Sequence, residues 1–173
     1  PKINSKVNSE MTPLMRQYWD IKSLHQDKIL LFRMGDFFEM FFDDAVRVAP
    51  LLGIALTSRN KKSNDETPMC GFPHHSLAGP INKLLSCGLR VAICDQVEDP
   101  KIAKGIVRRA VTRILTPGMV YDTDLIAPNQ NHYIASLNNE ELSFVDSSTG
   151  ESFFFLRLTW ADQQRLLTTL PVA

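Results

Sequence analysis

Two hydrophobic periods follow one another at the start of the chain. From 12 to 26 apolar residues recur at helical spacing, behind Thr12 and Pro13, which suit the cap and the first position of a helix. The run ILLFRM at 29–34 is short and mostly apolar, which is typical of a buried strand, and Gly35 follows it. The pattern therefore predicts a helix followed by a strand.

Helices and strands continue to interleave as far as residue 115. Helices are predicted at 43–52, where Pro50 ends or bends the helix, and at 76–87, with Ser76 as the cap and Gly88 just beyond the end. Strands or extended segments are predicted at 54–59, 69–75, 90–97 and 107–115, with a polar loop at 60–68. This order favours an α/β or mixed α+β fold.

The pattern changes after residue 115. The segment 116–131 has no clear period and contains two prolines and a glycine, as an interdomain linker would. Strands are then predicted at 132–137, 141–148 and 151–158, and a helix at 159–170 capped by Thr159. We predict one domain over 1–116, a linker over 117–131, and the truncated beginning of a second domain over 132–173.

Composition excludes several classes of protein. The 173 residues carry 19 basic and 19 acidic side chains, so bulk charge does not indicate a nucleic-acid partner. No stretch is long and apolar enough to cross a membrane, and the polar start lacks the centre of a signal peptide, so a soluble intracellular protein is expected. The three cysteines form no C-x-x-C pair; a zinc site of Cys70 with His74 and His75 is conceivable, but ordinary thiols are favoured and no metal is predicted.

Local charge is less even than the total. Five basic residues and no acid lie between 101 and 121, and three more lie near 60; they are Lys101, Lys104, Arg108, Arg109, Arg113, Arg59, Lys61 and Lys62. Charge alone leaves two interpretations open, a solvated surface and a contact with phosphates.

The stretch GDFFEMFFDD at 35–44 combines four phenylalanines with four carboxylates. One hypothesis is a metal-dependent nuclease in which Asp36, Glu39, Asp43 and Asp44 bind Mg²⁺. This hypothesis needs the carboxylates to converge, and it gives the aromatic rings no role. A second is a protein-interaction module that uses the phenylalanines as an exposed anchor, which leaves the basic segments unexplained.

A third interpretation comes from the whole series of motifs. GDFFEMFFDDA stands in order with TPLMRQYWDIK, LLFRM, GIALTSR, PMCGFPHH, VAICDQVEDP, KGIVRRAVTRILTPG and FVDSSTGE. Over about residues 11–156 this series resembles the amino-terminal part of the MutS family of DNA mismatch repair proteins. The resemblance implies a mismatch-recognition domain, a mixed β-sheet wrapped by helices, followed by the start of a ribonuclease-H-like connector domain. ATPase domains would lie elsewhere in the intact protein, and no G-x-x-x-x-G-K-[ST] occurs here.

The resemblance also assigns roles to individual residues. Phe37 would insert as a wedge at mispaired or unpaired bases from the minor groove, and Glu39 would hydrogen-bond to the base. Because these two residues are two positions apart, an extended backbone would aim both side chains the same way and turn Phe38 inward. Arg59 and Arg109 match positions near the DNA backbone; the secondary backbone candidates are Lys61, Lys62, Lys104 and Arg108.

Partners and cofactors follow from the same resemblance. Mismatched double-stranded DNA is the expected ligand, and no catalysis or cofactor is expected of the chain itself. For the intact protein the family implies ATP and Mg²⁺, a homodimer and a MutL-type repair partner. The expected location is the bacterial cytoplasm, at the nucleoid.

Overall fold

A six-stranded mixed sheet forms the first part of the molecule. The computed structural model describes residues 12–59, 67–119 and 133–169. The strands of this sheet are β1 (Ile29–Met34), β2 (Phe37–Phe41), β3 (Thr57–Arg59), β4 (Thr67–Pro73), β5 (Val91–Gln96) and β6 (Arg109–Leu115). Their order is β3-β4-β2-β1-β5-β6; β1 and β5 are parallel and every other neighbouring pair is antiparallel.

In the described part of the chain, three α-helices and one short 3₁₀ helix accompany this sheet. The helices are α1 (Pro13–Leu24), α2 (Phe42–Leu52) and α3 (Ala78–Ser86), and the 3₁₀ turn is His74–Ser76. The cap of α1 is Thr12, whose hydroxyl accepts the amide of Met15 at 3.4 Å, with Pro13 in the first position. The start of the first helix is therefore as the sequence predicts.

Side chains of opposite parity cover the two faces of the sheet. On one face, Leu30, Phe32 and Phe41 pack with Tyr18 of α1; we call this the α1 face. On the other, Leu31, Phe38 and Met40 belong to the core cluster that α2 and α3 complete. Helices thus lie on both sides, and the predicted mixed sheet wrapped by helices is confirmed.

Several element boundaries differ from the prediction. Ser76 does not cap the third helix: it lies in the 3₁₀ turn with His74 and His75, and α3 begins at Ala78. Pro80 then falls in the first turn, where its missing N–H needs no acceptor inside the helix. The strand predicted at 54–59 covers Thr57–Arg59 alone, since the amide of Ile54 still bonds to the carbonyl of Ala49 at the end of α2.

The polar loop predicted at 60–68 lies mainly outside the described residues, and Thr67 and Pro68 belong to β4. Pro50 does not end α2, which continues to Leu52 and stops at Gly53, whose left-handed φ of 68° suits a glycine. The predicted linker is described only up to residue 119.

A second, three-stranded antiparallel sheet is formed by β7 (Tyr133–Leu137), β8 (Glu141–Asp146) and β9 (Ser152–Leu156). Helix α4 (Trp160–Thr169) follows and is capped by a reciprocal pair: the Asp162 amide donates to the Thr159 hydroxyl, and the Thr159 amide donates to the Asp162 carboxylate. The predicted strands and helix are therefore present, whereas the ribonuclease-H-like identity of this part and the domain boundaries stay predictions.

Within the described ranges, no helix is both long enough and apolar enough to cross a bilayer.

Candidate nucleic-acid interface

Strand β2 carries the candidate site, and its two neighbours hold it along its length. Gly35, with a left-handed φ of 55°, allows the tight turn that brings the chain back antiparallel to β1. On its other side β2 pairs with β4, from Phe37 opposite Pro73 to Phe41 opposite Met69. An inner strand bonded on both sides presents its side chains from a rigid backbone.

The alternation along β2 separates an exposed ring from a buried one. Phe37 starts the strand and is 46% exposed, although phenylalanine usually lies in a core. Phe38 is 1% exposed and packs with Phe72 on the opposite face of the sheet. The predicted orientations of Phe37 and Phe38 are confirmed.

Glu39 lies on the α1 face between Phe32 of β1 and Gly71 of β4, its partners in register. Its Oε2 atom is buried and has no hydrogen-bond partner among the described residues. Burial raises the pKa of the Glu39 carboxyl, and the charges of Arg59 and Arg109 act against that rise. An unpaired, partly buried carboxyl with a raised pKa is prepared to take up a proton or to accept a donor from a ligand.

The two arginines named by the sequence lie on the same face, one on each side of Glu39. The guanidinium carbon of Arg59 stands 5.9 Å from the Phe41 ring centroid, and that of Arg109 stands 5.1 Å from the Phe32 ring centroid. Both contacts fall within the range of cation–π attraction. Residues from β2, β3 and β6, which are far apart in sequence, therefore converge around one carboxyl group.

Arg109 is the more firmly held of the two arginines. Its Nε donates to the carbonyl of Arg33 at 2.6 Å, and its Nη1 donates to Gln17 Oε1 at 3.1 Å and to the carbonyl of Val107 at 2.8 Å. These bonds link β6 to β1 and α1 across the top of Phe32.

The secondary basic candidates are less fixed. Lys104 and Arg108 are exposed, in the segment between β5 and β6. Because β1 and β5 are parallel, this segment leaves the sheet at the same end as the Gly35 turn and Phe37. Lys61 and Lys62 lie outside the described residues.

The 3₁₀ turn after β4 fastens the residue that precedes Phe37. The backbone amide of His74 donates to the carbonyl of Asp36 at 2.8 Å, and the His74 Nδ1 atom lies 3.0 Å from the same oxygen. The start of β2 is thus anchored to β4 beyond the last pair of the ladder.

The acidic residues of the opening motif do not form a metal site. Asp44 is buried and engaged elsewhere: Lys22 Nζ lies 2.7 and 2.9 Å from its two carboxylate oxygens, and the Leu30 amide donates to it at 3.0 Å. Among the described residues no three histidine, cysteine, aspartate or glutamate side chains are grouped to hold a metal ion. Nothing in the geometry favours the nuclease hypothesis.

Four further residues shape the site through tertiary contacts. Phe32 and Gly71 are the partners of Glu39 in register, Gln17 accepts a hydrogen bond from Arg109, and His74 holds the Asp36 carbonyl before Phe37. The sequence shows Gly71 only as a break in the extended segment 69–75. Its position opposite Glu39 depends on the register of β2 and β4, which local patterns do not specify.

A family model and several known proteins are similar to this chain. The family model described as MutS domain I matches residues 12–124. The protein named DNA mismatch repair protein MutS from Syntrophobacter fumaroxidans is 52% identical over 149 residues, 83% of this chain and 17% of that protein. Proteins of the same name from Alkaliphilus oremlandii and Myxococcus xanthus are 49% and 48% identical over 82% and 83% of the chain, and 17% and 16% of their own length. The chain spans about a sixth of the length of these relatives.

Proposed function

Because the chain belongs to the MutS family of DNA mismatch repair proteins, we propose that it is the part of such a protein that senses mismatched DNA. In this proposal Phe37 enters the duplex from the minor groove at a mispaired or unpaired base, and Glu39 hydrogen-bonds to that base. The observation that carries the proposal is the arrangement on β2, where an exposed ring stands two residues from a carboxyl with an unpaired buried oxygen.

The ring suits a wedge for physical reasons. A mispair stacks poorly, so bending and opening the duplex there costs less free energy than at a paired step. An aromatic ring can stack on any base without a hydrogen-bond preference, which suits a sensor of many lesions. The two-sided pairing of β2 supports this role, because a wedge must not yield when it is pressed between bases.

The carboxyl suits base recognition once it is protonated. An ionised carboxylate can only accept hydrogen bonds, whereas the protonated form can donate one to a ring nitrogen of a base. Burial already raises the pKa of Glu39, and the negative charge of DNA would raise it further. On a matched duplex, where the base is out of reach, the ionised form would repel the phosphates.

The basic residues complete the proposal as contacts to the DNA backbone. Arg59 and Arg109 lie on the α1 face beside Glu39, and Lys104 and Arg108 lie in the segment at the Phe37 end of the sheet. Such contacts position a protein on DNA without reading its sequence. Lys61 and Lys62 belong to the proposal by charge alone.

The properties of the intact protein are proposed on the same basis. We expect the chain to have no catalytic activity of its own. ATP hydrolysis with Mg²⁺, a homodimer, a MutL-type partner and a location at the bacterial nucleoid are expected of a full-length protein of this family.

The decisive experiment removes the ring. In the full-length protein, Phe37→Ala should lower the affinity for a G·T-mismatched duplex by about tenfold or more, the scale of one lost base–aromatic stack. Affinity for the matched duplex should change little, since the ring enters only at the lesion. Fluorescence anisotropy with both duplexes measures the ratio of the two affinities.

A control removes another exposed apolar side chain. Leu24→Ala truncates an exposed residue at the end of α1 that leads towards the start of β1, the opposite end of that strand from Phe37. It should leave both affinities unchanged. A folded Phe37→Ala protein that keeps the wild-type ratio would exclude Phe37 as the wedge.

A further inference from the structure

The strand that faces Glu39 contains a glycine whose backbone does not require one. Gly71 pairs directly with Glu39 in the β2–β4 ladder. The glycines at 35, 53 and 88 adopt left-handed φ angles of 55°, 68° and 74°, which favour glycine, but Gly71 is not among the residues with positive φ. The reason for glycine at this position must therefore be space.

This space is bounded by the Phe38 carbonyl and by Glu39. A Cβ atom added to Gly71 would lie 2.8 Å from the Phe38 carbonyl oxygen, 3.3 Å from Glu39 Cγ and 3.5 Å from Glu39 Cα. The first distance is shorter than real Cβ contacts, and the second is tight. Any side chain at this position would thus push on the Glu39 side chain and on the adjoining backbone.

Glu39 has little freedom to move away on its other side. There its partner in register is Phe32, whose ring is buried beneath the guanidinium of Arg109. Three hydrogen bonds hold that guanidinium to Arg33, Gln17 and Val107. The carboxyl group therefore lies between the Phe32 ring on β1 and the position on β4 where Gly71 has no side chain.

We propose that Gly71 is a specificity-determining residue, because the absence of a side chain opposite Glu39 sets the position from which the carboxyl reaches a base. This inference rests on the proposed function and adds a positioning residue to it. Hydrogen bonds weaken steeply when distance and angle depart from their optimum, so a shift of a few tenths of an ångström in Glu39 changes recognition. Phe37 pairs with Pro73, two positions from Gly71 along the ladder, and the three atoms nearest the added Cβ belong to Phe38 and Glu39, so insertion of the ring is expected to be preserved.

The test compares two glycine-to-alanine substitutions in the full-length protein. Gly71→Ala should reduce the ratio of mismatched to matched affinity by about three- to tenfold, the range expected for one lost hydrogen bond. Gly79→Ala is the control, because a Cβ atom at Gly79, in α3, would meet nothing within 4 Å. It should leave the ratio unchanged.

A pH series distinguishes positioning of Glu39 from a general loosening of the sheet. If the protonated carboxyl donates to the base, mismatch binding by the wild type weakens as pH rises from 6 to 9. Gly71→Ala should flatten this dependence, while Gly79→Ala should keep it. The charged groups that face Glu39, Arg59 from β3 and Arg109 from β6, are the same in all variants.

A double variant covers the case in which Gly71→Ala fails to fold. Gly71→Ala combined with Glu39→Ala removes the contact at Cγ and keeps the contact with the Phe38 carbonyl. Recovery of stability beyond the stabilisation that Glu39→Ala gives in the wild-type background supports the proposal, since the glycine then accommodates Glu39. Failure of both variants would mean that the backbone alone requires the glycine, and the proposal would be wrong.

The two proposals can fail separately. If Phe37→Ala abolishes mismatch preference but Gly71→Ala behaves like Gly79→Ala, the wedge stands and the role of Gly71 is refuted. If Phe37→Ala keeps the preference, the proposed function itself fails.

Discussion

Glu39 is a residue on which burial and neighbouring charge act in opposite directions. Burial raises the pKa of its carboxyl group, and Arg59 and Arg109 reduce the rise without cancelling it. In the unfolded chain the group titrates near a pKa of about 4.3. Between these two pKa values the folded protein holds a proton that the unfolded chain has released, so folding stability falls as pH rises through that range.

The fall in folding stability with rising pH gives a prediction for Glu39→Gln. At pH 7–8 the wild type bears the cost of a partly buried anion, and the variant does not, so the variant should have the higher free energy of unfolding. The difference should shrink as pH falls through the raised folded-state pKa, and it should vanish only below the unfolded value of about 4.3, where the carboxyl becomes protonated in both states. Urea unfolding at pH 8, 6 and 4.5 measures it.

Asp162 provides a control of opposite sign. Hydrogen bonds from Thr159 lower the pKa of its carboxyl group, so its ionised form contributes stability that is lost as pH falls through the folded-state pKa. Asp162→Asn should therefore lower stability slightly at neutral pH. An equal effect of Glu39→Gln and Asp162→Asn at every pH would contradict the account of Glu39.

At the scale of elements, one ion pair joins three parts of the fold. Asp44, in the first turn of α2, binds Lys22 of α1 and accepts the amide of Leu30 in β1. The side chains of the pair are only 14% and 9% exposed. The pair therefore fixes how α1 and α2, on opposite faces, meet the start of β1.

Removing the acid should be costly. Asp44→Ala leaves the largely buried Lys22 ammonium group with the Lys28 carbonyl but without its counter-charge, and it leaves the Leu30 amide without its acceptor. The expected loss of unfolding free energy is about 3–5 kcal/mol. Lys22→Met/Asp44→Ala should recover part of it, because no charge remains buried. Chemical denaturation of the wild type and the two variants tests this, and a loss below about 1 kcal/mol in Asp44→Ala would show that the pair is surface-like.

The elements that the sequence predicts best are those with local causes. Thr12 and Pro13 fix the start of α1, and the apolar run 29–34 specifies β1 without help from distant residues. The errors arise where tertiary contacts decide. Ser76 is a good cap by type, but the bonds from His74 to the Asp36 carbonyl draw this segment into a 3₁₀ turn, and the helix starts later.

In the candidate site, too, some features can be predicted from the sequence and others cannot. The alternation of Phe37, Phe38 and Glu39 follows from strand geometry and is predictable from the sequence. The position of Arg109 over Phe32 and of Gly71 opposite Glu39 depends on strand order and register across segments 30 to 80 residues apart. Only the folded sheet brings these residues to the same carboxyl group.

At the scale of the whole molecule, a chain without net charge can attract DNA only through local groups of cations. The 19 basic residues equal the 19 acidic ones, so attraction to DNA depends on where the charges lie. Arg59 and Arg109 flank Glu39 on the α1 face, whereas Arg47 and Lys83 lie on α2 and α3 on the opposite side of the sheet. Because a small module makes few phosphate contacts, we expect the chain alone to bind DNA weakly at physiological salt.

The salt dependence of DNA binding by the full-length protein distinguishes the arginines on the α1 face from the basic residues on α2 and α3. Replacing Arg59 and Arg109 by glutamine should weaken matched and mismatched binding about equally and flatten the slope of log K against log salt by about 1.8, roughly 0.9 for each lost phosphate contact. Since both arginines also favour the ionised form of Glu39, the substitutions are best made in a Glu39→Gln background, where that influence is absent. Arg59→Lys/Arg109→Lys should keep the slope, and Arg47→Gln/Lys83→Gln should leave it unchanged.

Two outcomes would contradict this prediction. A loss of affinity confined to mismatched DNA would mean that the arginines recognise the lesion rather than the backbone. An unchanged slope in the arginine-to-glutamine variant would mean that the hydrogen bonds and ring contacts of Arg109 serve the fold alone.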